Sequence, residues 1–269
     1  MSPTPEPVLR DRSDDGVTTL TIDRPRRKNA LTVDGWAELA SSLRSAAEDG
    51  TRALVLRGTG GDLCAGADLS GDSEGSDDAD DSDHPLPRMR RINEVPIALH
   101  ELAVPSIAVV DGVAVGAGWN LALGCDLVVA TPRSRFSQIF ARRGLSLDLG
   151  GSWLLPRIVG MQQAKRLALL GEMVDGTEAH RLGLVTYLVE PDEVDGVVAD
   201  LAGRLATGPP VALAQTKELL HSAVSSTLRE ALANEARAQS VNLAGDDARA
   251  AFEAFREKRE PRFTGGWER

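Results

Sequence analysis

The sequence is poor in aromatic residues and in cysteine, and it contains no long apolar run. Phe, Trp and Tyr make up 4% of the 269 residues, so the core must be built mostly from Ala, Leu and Val. Cys64 and Cys125 are too few for a disulfide framework, and no CxxC or Cys/His cluster indicates a zinc site. No apolar run approaches the roughly 20 residues that cross a bilayer. We therefore expect no metal and no membrane span.

Clustered basic residues and a secretory leader are also missing. No patch of Lys and Arg suggests a nucleic-acid partner, and Met1–Arg12 lacks the apolar centre of a signal peptide. The net charge of −10 comes mostly from residues 70–84, which hold seven Asp or Glu and no Lys or Arg. Such a segment repels itself and predicts a mobile loop, and a metal site there is disfavoured because nothing fixes ligand geometry. A cytoplasmic protein fits these absences best.

Strand patterns alternate with helical patterns over residues 1–200, after a Pro-rich first dozen residues that we expect to be frayed. Short runs of β-branched and other apolar residues predict strands at Val17–Asp23, Ala53–Arg57, Pro105–Val110 and Asp126–Ala130. Helical periodicity follows Thr32, with apolar positions that include Trp36 and Ala47, and helical patterns recur between later strands. This interleaving predicts an α/β core. Residues 201–269 show helical patterns alone and predict a helical region that docks on the core or on another subunit.

Two turns rich in Gly and Ala follow predicted strands. They are Ala-Gly-Ala-Asp at residues 65–68 and Gly-Ala-Gly at residues 116–118. Small residues let another group approach the backbone closely, and the start of a helix presents N–H groups that lack partners. If the turns converge, two backbone N–H groups can stabilise an enolate or another oxyanion. The alternative is that each turn only packs a strand against a helix.

Six motifs occur in a fixed order along nearly the whole chain, within residues 24–31, 64–69, 111–126, 144–160, 183–185 and 255–263. Together they resemble the motifs of the crotonase (enoyl-CoA hydratase/isomerase) superfamily. The segment Gly-Leu-Ser-Leu-Asp-Leu-Gly-Gly-Ser-Trp-Leu-Leu-Pro-Arg at residues 144–157 is most similar to the enoyl-CoA isomerases of the phenylacetate pathway. Each motif alone is modestly specific, whereas six in register are highly specific.

The resemblance implies a crotonase/ClpP-like spiral of ββα units with a C-terminal helical trimerisation region, assembled as a homotrimer or a dimer of trimers. It implies an acyl-CoA thioester as substrate, so that coenzyme A is part of the substrate and no separate cofactor is needed. The thioester carbonyl would lie between the N–H groups of Ala67 and Ala117. Contacts with coenzyme A would fall on Arg26, Lys28, Ala65, Asp68, Leu69, Lys258 and Phe263. For the basic loop and for the two C-terminal residues, which would reach a neighbour's site, an ordinary exposed surface is the alternative.

The departures from the hydratase pattern concern the base. Hydratases of this superfamily carry two glutamates that handle one water, and by register Asn120 and Phe140 occupy those positions. Neither side chain can act as a general base, and with Trp119 and Leu69 they would line a drier substrate pocket. The remaining acid is Asp148, whose pKa apolar neighbours such as leucines can raise by desolvation. The alternative for Asp148 is that it caps a turn or the start of a helix.

These features together predict an enoyl-CoA isomerase. In this hypothesis Asp148 moves a proton between two carbons, while Ala67 and Ala117 stabilise the enolate oxygen. One alternative is an enoyl-CoA hydratase with a non-standard water site. The other is a weakly catalytic acyl-CoA-binding protein, and thioester hydrolysis or dehalogenation would use the same oxyanion hole.

Overall fold

The computed structural model describes residues 7–68 and 85–267. Leu69 and the acidic segment 70–84, for which the sequence predicts pocket contacts and a mobile loop, lie outside the described residues. The strands are β1 (Val8–Arg12), β2 (Val17–Ile22), β3 (Ala53–Gly58), β4 (Ser106–Val110), β5 (Val113–Val115), β6 (Leu127–Ala130), β7 (Arg135–Ser137), β8 (Val174–Asp175) and β9 (Tyr187–Leu188). The helices are α1 (Val33–Glu48), α2 (Pro85–His100), α3 (Ala117–Gly124), α4 (Gly151–Leu170), α5 (Gly176–Arg181), α6 (Val194–Thr207), α7 (Pro210–Ala223), α8 (Leu228–Ala244) and α9 (Asp246–Glu257).

The strands form two sheets, and the chain alternates between them. The larger sheet has the order β1-β2-β3-β4-β6-β9, and the smaller sheet has the order β5-β7-β8. Neighbouring strands of the larger sheet are parallel except for β1 and β2. The chain passes from the larger sheet to the smaller sheet and then to a helix in β4-β5-α3, and again in β6-β7-α4. This repeat confirms the predicted α/β class with ββα units.

Parallel pairing places the two Gly/Ala turns at one edge of the larger sheet. Strands β3 and β4 end at Gly58 and Val110, and these ends lie on the same side because the strands run in parallel. The chain after β3 then reaches the smaller sheet, where Cys64 forms a bridge with Ala114 of β5. The turns therefore meet beyond the carboxyl ends of the strands, which is the usual position of a site in a parallel sheet.

Helix α1 shows how the aliphatic core is built. It begins after Thr32, whose hydroxyl accepts a hydrogen bond from the N–H of Gly35 (3.2 Å). Trp36 is buried on the inner face, whereas the predicted contact Ala47 is exposed and Ala46 is buried instead. The rest of the core is mostly Leu, Val and Ala, as the scarcity of aromatic residues predicts.

Two predicted boundaries shift in the structure. The first dozen residues are not simply frayed, since Val8–Arg12 pairs with β2 in antiparallel register and Val8 is buried. The boundary between residues 200 and 201 falls inside α6, whose Leu201 and Ala202 belong to an apolar cluster with valines of the larger sheet. Because α6 packs on the core along its length, the helical region begins at α7, after Gly208.

Helices α7, α8 and α9 bury little within this chain. Helix α7 has no buried residue, while α8 and α9 bury Ala238 and Ala254, respectively. Helix α7 is tied to the core by Lys217, whose Nζ lies 2.8 Å from a carboxylate oxygen of Asp126. None of the described helices is long and apolar enough to cross a bilayer.

Candidate active site

The two Gly/Ala turns lie against each other, as the oxyanion-hole hypothesis requires. The N–H of Val115 donates to the carbonyl of Cys64 (3.0 Å), which ties β5 to the first turn. A Cβ added to Gly66 would lie 3.1 Å from the carbonyl oxygen of Val115 and 3.6 Å from the nitrogen of Ala117. A Cβ added to Gly118 would overlap the carbonyl oxygen of Cys64 and lie 2.8 Å from its Cβ. Glycine at 66 and 118 therefore permits the close approach of the two backbones.

The backbone N–H groups of Ala67 and Ala117 belong to these facing turns. The N–H of Leu31 donates to Gly66 (3.0 Å), and the carbonyl of Leu31 accepts from Asp68 (2.9 Å). Because N–H directions alternate along an extended segment, the Ala67 N–H between these contacts points away from Leu31. Ala117 is the first residue of α3, so its N–H has no acceptor within the helix. Two such donors on facing turns suit one substrate oxygen.

Asp148 lies in the loop before α4 and has a shifted pKa. Its Oδ1 is shielded from solvent and has no hydrogen-bond partner in the described part of the chain. Burial raises the pKa of Asp148 from 3.8 to about 6, because the charged carboxylate loses hydration. Leu149 is buried beside it but Leu145 is 56% exposed, so the neighbouring leucines do not contribute equally to this burial. A carboxyl group with this pKa can accept and return a proton near neutral pH.

The backbone around Asp148 forms an unusual turn. The carbonyl of Asp148 accepts a hydrogen bond from the N–H of Gly151 (2.9 Å), and Leu149 has a φ of +47°. This left-handed conformation is strained for leucine, so the surrounding structure must hold it. The residue that precedes α4 is Gly150, and no side chain caps the helix there. The alternative that the Asp148 side chain caps α4 is therefore wrong.

Asn120 holds the Asp148 turn through its side-chain amide. Its Nδ2 donates to the carbonyl oxygen of Asp148 (2.9 Å), and its Oδ1 accepts from Nε2 of Gln138 (2.8 Å). Asn120 is 1% exposed and Gln138 is 0% exposed, so both amides are removed from water. Sequence reasoning placed Asn120 in the pocket but missed Gln138, because only the folded chain brings its loop next to α3.

Phe140 and Trp119 lie in different surroundings. Phe140 is buried, and a Cβ added to Gly116 would lie 3.6 Å from its Cζ, so the ring is beside the start of α3. The ring therefore packs beside the residue that precedes Ala117. Trp119 is 0% exposed, and its ring centroid lies 5.4 Å from that of Phe136. The structure places Trp119 in the core and not on a pocket wall, because its position on α3 faces the sheets.

The basic loop and the first Gly/Ala turn, both predicted to meet coenzyme A, are adjacent. The N–H of Ala65 donates to the carbonyl of Lys28 (3.0 Å), and a guanidinium nitrogen of Arg24 lies 2.9 Å from Oδ2 of Asp68. The side chains of Arg26 and Lys28 are exposed next to this turn, where cationic groups suit a phosphate. Asp68 instead orders the turn through its ion pair.

The C-terminal residues predicted to meet coenzyme A lie elsewhere in the same chain. The carbonyl of Phe263 accepts from the guanidinium of Arg52 (3.5 Å), which also donates to Gly208 (2.7 Å). Arg52 immediately precedes β3, so it lies at the opposite end of that strand from the site, about 20 Å away for six residues. Lys258 is exposed at the end of α9. The structure does not bring Phe263 to the site of its own chain, and for both residues a contact with a neighbouring chain stays a prediction.

The two thiols do not suit nucleophilic chemistry. Cys64 and Cys125 are buried, and burial raises the pKa of each thiol to about 12. Neither is ionised near neutral pH, and the thiolate is the reactive form. In residues 7–68 and 85–267, no three or more His, Cys, Asp or Glu side chains are grouped so that they could hold a metal ion.

Comparison with known proteins defines the class to which this site belongs. Residues 12–266 match the family model described as enoyl-CoA hydratase/isomerase. The chain is 38% identical over 256 residues to the 1,2-epoxyphenylacetyl-CoA isomerase of Escherichia coli K12, covering 93% of this chain and 95% of that protein. It is also 38% identical over 261 residues to a probable enoyl-CoA hydratase of Rhodobacter capsulatus, covering 96% and 98% of the two chains.

A solved structure gives the same class for the fold. The crystal structure of an enoyl-CoA hydratase from Mycobacterium smegmatis superposes with a TM-score of 0.86 at 32% identity, covering 96% of this chain and 98% of that chain. The chain therefore belongs to the enoyl-CoA hydratase/isomerase family and has the crotonase fold. The predicted resemblance, including the likeness to the isomerases of phenylacetate degradation, is confirmed.

Proposed function

We propose that this protein is an enoyl-CoA isomerase that moves a double bond through an enolate. The observation that carries the proposal is Asp148, a carboxyl group with a shielded oxygen and a pKa of about 6. The two positions that hold glutamates in related hydratases are Asn120 and Phe140, which cannot act as bases. A site whose proposed base is a single carboxyl group suits a proton shift between two carbons better than an addition of water that relies on a pair of glutamates.

The proposed reaction begins with a 3-enoyl-CoA. The Asp148 carboxylate removes a proton from C2, and the electron pair spreads into the thioester carbonyl to form a dienolate. The N–H groups of Ala67 and Ala117 stabilise the negative oxygen, and this stabilisation is strongest when the charge has developed. Protonated Asp148 then returns the proton to C4, which yields the 2-enoyl-CoA without net oxidation, reduction or uptake of water. In this proposal the apolar ring of Phe140, beside the start of α3, keeps water away from the dienolate.

The relatives support this proposal and also give it a competitor. The Escherichia coli relative is named an isomerase of 1,2-epoxyphenylacetyl-CoA, whereas the Rhodobacter capsulatus relative is named a probable enoyl-CoA hydratase. Hydration is therefore the second candidate, and it would need a base other than the residues at positions 120 and 140. Conversion of crotonyl-CoA to the hydroxyacyl product separates the two candidates.

The functional unit is proposed to be a homotrimer or a dimer of trimers built through the helical region. Large apolar side chains of α8 and α9 face solvent in the single chain, and Leu228 is 76% and Phe255 85% exposed. Such a surface favours burial against another chain. In such an assembly, Lys258 and Phe263 would be presented to a neighbouring subunit.

Exchange of deuterium tests the proposed reaction. The protein is incubated with 3-enoyl-CoA of several chain lengths in D2O, and the 2-enoyl product and its deuterium content are followed. We expect conversion with little hydroxyacyl product. Deuterium enters C4 to the extent that the proton on Asp148 exchanges with solvent before its return, and it enters C2 through repeated reversible turnover. If no chain length is converted above the uncatalysed rate while crotonyl-CoA is hydrated, the hydratase assignment replaces this one.

A further inference from the structure

We propose that Asn120 and Gln138 are positioning residues that fix Asp148 relative to the oxyanion donors. The proposal rests on the proposed function, because it assumes that Asp148 is the acid and base. In this proposal neither amide contacts the reacting carbons. Their effect would pass through the backbone of the turn that carries Asp148.

The hydrogen bonds fix the orientation of both amides. A backbone carbonyl only accepts, so Asn120 must present its NH2 group to Asp148. The Oδ1 of Asn120 then faces Gln138, which must donate through Nε2. Gln138 Oε1 has no partner among the described residues and is shielded from solvent. The two amides thus form a directed chain that ends at the Asp148 carbonyl.

Helix α3 connects this pair of hydrogen-bonded amides to the proposed oxyanion hole. Ala117 is the first residue of α3, and Asn120 follows three residues later, about one turn along the same helix. A Cβ added to Gly151 would lie 2.7 Å from Cγ of Asn120, so the start of α4 is packed directly on this amide. The same short helix therefore carries the oxyanion donor Ala117 at its first residue and, three residues later, the amide that holds the turn of Asp148.

The conformation that Asn120 holds is one that the chain would not adopt without support. Leu149 has a φ of +47°, and its peptide bond with Asp148 includes the carbonyl that Asn120 binds. Removal of this hydrogen bond leaves the Asp148 carbonyl held only by the N–H of Gly151 among the described residues, and we expect the strained peptide then to rotate so that Leu149 returns to an ordinary conformation. The Asp148 side chain would then leave its position beside the substrate, and a displacement of about 1 Å reduces rates about 100-fold.

Two substitutions break these hydrogen bonds in different ways. Asn120→Asp has the same shape but places a carboxylate oxygen against the Asp148 carbonyl, and we expect kcat to fall about 100-fold with little change in KM. Gln138→Met removes the donor to Asn120 without adding charge, and a smaller fall in kcat is expected. The matched control is Asn234→Asp on α8, whose side-chain oxygen accepts a hydrogen bond from Arg237 of the same helix, and this variant should leave kcat unchanged. Thermal unfolding of each variant checks that the chain is folded.

A double-mutant cycle with Asp148→Asn separates positioning from a general structural role. If Asn120 acts through Asp148, adding Asn120→Asp to Asp148→Asn changes kcat/KM very little, because the base is already gone. Equal losses in both backgrounds would overturn the positioning role. Full activity of Asp148→Asn alone would instead refute the proposed function.

A crystal structure of Asn120→Asp provides a readout that does not depend on activity. The proposal predicts that Leu149 leaves the left-handed region and that the Asp148 carboxyl group moves. An unchanged turn would contradict it, even if the protein turns over no enoyl-CoA.

Discussion

Replacing Asp148 with Asn is expected to stabilise the folded protein at neutral pH. The pKa of this carboxyl group is raised from 3.8 to about 6 on folding, so the folded chain holds the charged form less favourably than the unfolded chain. At about 1.4 kcal/mol per pKa unit, the ionised group costs about 3 kcal/mol of stability at pH 7. Solvent that reaches the half-buried carboxyl group reduces this figure to about 1–2 kcal/mol. An uncharged isostere removes that cost.

The pH dependence of the effect follows from proton binding. Between about pH 4 and pH 6, the folded protein holds the Asp148 proton more often than the unfolded chain does. The free energy of unfolding contributed by this group therefore falls as pH rises through that window. Below about pH 4 the group is neutral in both states, so the wild-type protein and Asp148→Asn should differ least there and most above about pH 6.

Urea unfolding followed by circular dichroism from pH 4 to pH 8 measures this difference. Protein concentration must be matched, because subunit association would add to the apparent stability. Asp192→Asn, at an exposed position, is the control and should show no growing advantage with pH. A difference that does not change with pH, or an Asp148→Asn variant less stable than wild type at pH 7, would refute the reasoning.

Three further substitutions test other parts of the structure. Gly118→Ala forces a methyl group onto the Cys64 carbonyl, so kcat should fall about 100-fold. The control is Gly203→Ala in α6, where the added methyl group has no neighbouring atom within 4 Å and kinetics should be unchanged. Lys217→Met leaves the partly buried carboxylate of Asp126 without its cation, so the free energy of unfolding measured by urea titration should fall by about 1–3 kcal/mol. An unchanged unfolding midpoint would contradict the role of this ion pair in holding α7 to the core. Phe255→Asp places a charge on the exposed apolar face of α9, and light scattering should then show a smaller assembly than wild type; an unchanged mass would argue against that face as an interface.

The local elements could be predicted because short-range patterns determine them. The strand after residue 16 and the helix after Thr32 follow from periodicity and a capping side chain, and the structure has both. Strands of two or three residues, such as Val113–Val115 and Val174–Asp175, were missed because so few residues carry no periodic signal. Their existence depends on partners far away in the chain.

The candidate site could be predicted only in part, for a related reason. The Gly/Ala composition of the two turns is visible in the sequence, but their contact depends on Gly118 lying against Cys64 in the folded chain. Trp119 was expected in the pocket because it is next to Asn120 in the family register, whereas its side chain is fully buried in the core beside Phe136. Gln138 has no local signal, since the side-chain hydrogen bond that it makes among the described residues is to Asn120, eighteen residues away.

The most direct test of the account is the isomerisation rate of Asp148→Asn with a 3-enoyl-CoA that the wild-type protein converts. Asparagine keeps the shape of the side chain but cannot take or return the proton, and a positioned acid–base group typically contributes about 10²–10⁴-fold to a rate. We predict a loss of kcat in that range, with substrate binding retained through the Ala67 and Ala117 N–H groups. Wild-type turnover by Asp148→Asn would contradict the assignment of Asp148 as the acid and base.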